Sequence, residues 1–123
     1  EFGGLGSAKI SSEMIDYKVS SSILANTTLC VVATNLQLNK SQAQRVAIIS
    51  QDGLARAIRP VHTSFDGDIV FAMSTGQISL PKPKNVSLTR LGNLAADCVS
   101  RAIARGVYSA ESIGNFDSYS SKN

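Results

Sequence analysis

The chain has 123 residues, of which 43% are hydrophobic and 17% charged, with a net charge of +3. That length is one domain or part of a larger one, and the composition excludes a disordered chain. The twelve Lys and Arg are scattered apart from Lys82-Pro83-Lys84, with no basic stripe or interleaved aromatics, so a nucleic-acid partner is not expected.

No run approaches the roughly 18 apolar residues of a membrane span, and no charged-then-apolar signal opens the chain, so no membrane partner is expected. Cys30 and Cys98 lie inside apolar patterns and read as buried thiols in a reducing, cytoplasmic setting. Neither has the spacing of a metal site, and a disulfide between them is the less favoured reading. The opening Glu1-Phe2, without methionine, reads as a fragment or a processed product.

Residues 1–26 cluster Gly3, Gly4 and Gly6 at the start and end in Ser20-Ser21-Ser22, and have no clear hydrophobic period. They read as a glycine- and serine-rich leader and linker, with a weak element between 9 and 19. Strong signals begin at Thr27. The run LANTTLCVVATN at 24–35 predicts a buried strand over 28–34, apolar on both faces.

Asn39 or Ser41 then serves as N-cap for a helix reaching Ile58. Ala43, Val46, Ala47, Leu54, Ala57 and Ile58 fall on one face of it. Gly53 weakens this helix or marks a close packing contact, and Pro60 ends the segment. Phe65-Asp66-Gly67-Asp68 is a turn signal, and IVFAM at 69–73 predicts a second buried strand.

A loop is expected over 76–85, followed by a helix over 87–105. Its apolar face carries Leu88, Leu91, Ala95, Cys98, Ala102 and Ile103, with Gly106 as C-cap. The serine-rich tail is expected to be partly ordered. Two apolar strands and two long helices need a cover on both sides of the sheet and supply one side, so an α/β (α+β) sandwich shared with something else is expected.

Read locally, the chemistry is open. His62, the one histidine, serves as a general base or simply bonds its neighbours. Asp66 and Asp68 flank Gly67, and Asx-turn chemistry accounts for both without catalysis. Thr27 gains interest if the bond before it is cut, since its own α-amine, with a reference pKa of about 7.7–8.0, can then take the hydroxyl proton. Asn26-Thr27 suits such a cut: the hydroxyl attacks the Asn26 carbonyl, the peptide shifts to an ester, and water releases the new terminus.

The segments NTTLCVVATN at 26–35, GLARAIRPVHTSFDGDIVFAMSTG at 53–76 and VYSAESIG at 107–114 resemble the catalytic β segment of the L-aminopeptidase/D-esterase family. That family includes the β-peptidyl aminopeptidases and the nylon-oligomer hydrolase. The resemblance implies an N-terminal-nucleophile hydrolase in an αββα sandwich, made as a precursor that cleaves itself, without metal or other cofactor. By position, Thr27 matches the nucleophile, Asn26 the residue before the cut, and Asp66 and Asp68 the pair supporting the nucleophile.

His62, Thr63 and Gly67 match motif positions expected to be structural. Residues 1–26 then stand as a remnant of, or substitute for, the family's larger preceding segment, and 27–123 as the catalytic-segment-like domain. The expected substrate is a peptide or aminoacyl amide, and the expected partner a second copy of the chain or a missing α chain. A non-catalytic assembly module of the same fold and an ornithine acetyltransferase-like acyltransferase are the alternatives.

Overall fold

In the computed structural model, residues 27–122 are described; Asn26 and the leader lie outside the described residues. Strand β1 (Leu29–Gln37) leads through helices α1 (Lys40–Ser50) and α2 (Asp52–Ala57) to strand β2 (Ile69–Ser79). Helix α3 (Lys84–Ser109) then returns across α1 and α2, and a short 3-10 turn (Ser120–Lys122) closes the described chain.

The strands pair in parallel, with Leu29 opposite Ile69 and Ala33 opposite Met73, the arrangement that a helical crossover allows. Alternation along both strands sends Cys30, Val32, Val70 and Ala72 towards the helices, where Leu54, Val70 and Val99 form the buried centre. The opposite face carries Leu29, Val31, Phe71 and Met73, all exposed; Leu29 is 70% accessible. The expectation that this chain covers one side of an apolar sheet is borne out, and the mixed α+β class with it.

Local chemistry explains the element ends. Asn39 caps α1 as expected: its Oδ1 accepts the backbone N–H of Gln42 at 2.9 Å, while the Gln42 side chain accepts the N–H of Asn39. The predicted continuous helix to Ile58 is instead divided into two at Gln51. The buried Ser50 hydroxyl donates to the Val46 carbonyl at 2.7 Å, a back-bond that bends helices. Gly53 does mark a close contact, because a Cβ there would stand 2.3 Å from the Ala96 carbonyl oxygen of α3.

Three expectations need correction. β2 runs on through the predicted loop to Ser79: a bulge between the Thr34 and Leu36 pairings absorbs extra residues, Gly76 takes φ +69°, and the Ser74 hydroxyl donates to the Leu36 carbonyl. Helix α3 is longer than predicted at both ends, and Gly106 lies within it on an exposed turn rather than capping it. Cys98 is exposed rather than buried, and lines an open apolar groove of about 500 Å³ between α3 and β1. Cys30 is half-buried, and both thiols are free.

Side chains of the serine-rich tail bond to one another and meet α3. The Ser112 hydroxyl accepts the N–H of Ser118, and the Tyr119 ring lies 6.3 Å from that of Tyr108 on α3.

Candidate active site

The two parallel strands begin side by side, and the residues that precede each of them meet at that end. The N–H of Ile69 donates to the Thr28 carbonyl at 3.0 Å, which extends the ladder one residue past β1 and fixes the backbone beside Thr27. The N–H of Thr28 donates to Oδ1 of Asp68 at 2.9 Å, a link across 40 residues. Thr27 is exposed at the mouth of the sheet.

Gly67 stands against the Thr27 hydroxyl. A Cβ at this position would lie 2.7 Å from Thr27 Oγ1, closer than real Cβ contacts come. This approach explains why a side chain is missing between two aspartates. The DGD step brings bare backbone up to the hydroxyl and flanks it with two carboxyl-bearing residues.

The two carboxylates are used differently. Asp66 closes the turn before the site: its Oδ2 accepts the N–H of Thr63 at 2.7 Å, and its own N–H donates to the Thr63 carbonyl. For Asp66, the local turn reading accounts for these bonds. Asp68 is not a turn residue. Its side chain is 2% exposed, Oδ1 holds Thr28, and Oδ2 faces Nδ1 of His62 at 3.4 Å.

His62 itself adopts φ +56°, in the left-handed region, so the loop doubles back and its half-exposed ring meets Asp68. Cys30, one residue beyond Leu29, feels the same group. Burial, and then the nearby Asp68 charge, push its thiol pKa up, which keeps it a neutral thiol.

Of the expected site residues, Thr27, Asp66 and Asp68 are brought to one end of the sheet, with Gly67 between them. Asn26 lies outside the described residues. The participation of the Thr28 N–H carries no sequence signal, since any residue there presents one. No group of three or more His, Cys, Asp or Glu that would hold a metal exists among the described residues, and no helix among them is long and apolar enough to cross a membrane.

The model of peptidase family S58 matches residues 2–120. The chain belongs to peptidase family S58. The resemblance to the L-aminopeptidase/D-esterase hydrolases is thereby borne out.

Over 103 residues the chain is 43% identical to an uncharacterized aminopeptidase of Mycobacterium leprae, covering 76% of this chain and 28% of that protein. It is 40% identical over 103 residues to an uncharacterized aminopeptidase of Mycobacterium tuberculosis, covering 76% of this chain and 30% of the relative. A 6-aminohexanoate-oligomer endohydrolase of Paenarthrobacter ureafaciens is 31% identical over 85 residues, covering 63% of this chain and 24% of the relative. The chain thus spans less than a third of the length of these S58 relatives.

Proposed function

We propose that this chain is the nucleophile-bearing segment of an N-terminal-nucleophile aminopeptidase or amidohydrolase, with residues 1–26 as leader and 27–123 as the catalytic segment. The single observation that carries the reading is the placement of the Thr27 hydroxyl against Gly67, the residue that separates Asp66 from Asp68 in sequence. Maturation cuts Asn26–Thr27. The Thr27 oxygen adds to the Asn26 carbonyl carbon, the C–N bond breaks as its electrons pass to the departing amine, and water hydrolyses the ester.

The mature Thr27 then has a free α-amine as its own base. That amine accepts the hydroxyl proton, directly or through water, as the oxygen attacks an amide carbonyl of a peptide or aminoacyl amide. The substrate C–N bond breaks as the α-ammonium returns the proton to the departing amine, and water then hydrolyses the acyl-threonine ester. Asp68 fixes the backbone one residue on, through the Thr28 N–H, and Asp66 fixes the turn that carries Gly67.

The aminopeptidase and endohydrolase names of the relatives favour hydrolysis over acyl transfer to ornithine. The exposed apolar sheet face supports assembly with a second copy or an α chain, and the free thiols support a cytoplasmic setting. Intact-mass measurement of the full chain tests the reading: the expected result is a product beginning at Thr27, absent in Thr27→Ala. A single uncut species, inactive on aminoacyl amides with any α partner added, overturns it.

A further inference from the structure

Asp68 is almost wholly withdrawn from water, yet its Oδ2 accepts no hydrogen bond among the described residues. Oδ1 is satisfied by the N–H of Thr28. An unsatisfied buried polar atom is costly, and more so when charged, so a donor beside Oδ2 has a strong reason to close on it. Among the described residues, the side chains of Cys30 and His62 stand near this carboxylate. The Cys30 thiol is a weak donor. Nδ1 of His62, at 3.4 Å from Oδ2, is a strong one.

The 3.4 Å separation is an electrostatic contact rather than a formed hydrogen bond; charge-assisted bonds of this type settle at about 2.7–2.9 Å. The imidazole side chain is 42% exposed, so its ring is not held in a packed core. The backbone of His62 is the one described non-glycine residue with positive φ, and that left-handed step points the ring back at Asp68.

We propose that His62 is a positioning residue: its Nδ1–H donates to Oδ2 of Asp68 and locks the carboxylate so that Oδ1 stays on the Thr28 N–H. Through that peptide it sets the position of Thr27. The hydrogen bond stands independently of the reaction; its consequence for Thr27 rests on the proposed function above. A purely structural role makes the opposite demand, because a left-handed position with no side-chain partner is best filled by glycine. Asparagine separates the two roles, since it tolerates the left-handed region and carries an N–H donor at the δ position.

The test uses the full chain labelled with nitrogen-15 at histidine, whose ring shifts report which nitrogen of the neutral imidazole carries the proton. The expected spectrum shows the neutral His62 ring protonated on Nδ1; a ring protonated on Nε2 overturns the proposal. Cleavage of Asn26–Thr27 is followed in parallel by intact mass. His62→Gly is expected to slow it about tenfold, the effect of one charged hydrogen bond, with His62→Asn recovering to within about threefold of wild type. Unchanged cleavage in His62→Gly, or equal slowing in both variants, overturns the proposal. A wild-type chain that shows the Nδ1 tautomer but never cleaves refutes the proposed function and leaves the Asp68–His62 bond standing.

Discussion

The two faces of the same sheet share a composition and differ in fate. On the helix side, Val70 is 8% exposed and packs with Leu54 and Val99. On the other side, its neighbours Phe71 and Met73 are 52% and 54% exposed, although they are larger and as apolar. A half-solvated sheet ordinarily alternates apolar and polar residues, and this one does not. The difference teaches that the strand sequences are written for a sheet covered twice, with one cover supplied by α1, α2 and α3.

Substitutions on the two faces sharpen the contrast. Leu54→Ala empties the centre of the helix side and is expected to cost about 2–5 kcal/mol, read as a lower denaturation midpoint. Gly53→Ala drives a Cβ towards the Ala96 carbonyl and the Val99 side chain, and is expected to cost about 1–3 kcal/mol by forcing α2 from α3. Phe71→Ser on the outer face is expected to change the stability of the separate chain by under about 0.5 kcal/mol. On the proposed assembly through this face, its effect is expected to fall on association, as a lower sedimentation mass; equal damage from Leu54→Ala and Phe71→Ser breaks the comparison.

A smaller effect comes from the helix-facing thiol. The Cys30 pKa is raised first by burial and second by Asp68, so thiolate formation needs a higher pH than for a free cysteine. In a Cys98→Ser background, Asp68→Asn is expected to move the midpoint of the pH–alkylation profile of Cys30 downward, and burial keeps it above the free-thiol value. An unmoved midpoint separates Cys30 from Asp68.

Much of this was readable in the sequence where local chemistry decides it. Asn39 reads as an N-cap because its side chain bonds three residues on, and Gly53 reads as a contact because a helix interior rarely keeps glycine without reason. The ends of β2 and α3 were not readable. The bulge at Gly76 is set by pairing with β1, and Gly106 is tolerated because an exposed glycine costs a long helix only about 1 kcal/mol.

At the candidate site, residue types suggested Thr27, Asp66 and Asp68, and the family-like block made them a set. The division of labour between the two aspartates appears only in three dimensions, where Asp66 turns to Thr63 and Asp68 reaches Thr28. His62 shows why: it adopts a left-handed φ that glycine or asparagine would have signalled and that histidine does not.

The central claim is that Thr27 is made into a chain terminus and acts as nucleophile. Intact mass of the full chain over time, with Thr27→Ala and Gly67→Ala beside it, tests this most directly. The account predicts cleavage at Asn26–Thr27 in wild type, none in Thr27→Ala, and strong slowing in Gly67→Ala, whose methyl group displaces the hydroxyl. Cleavage that proceeds undiminished in Thr27→Ala contradicts it.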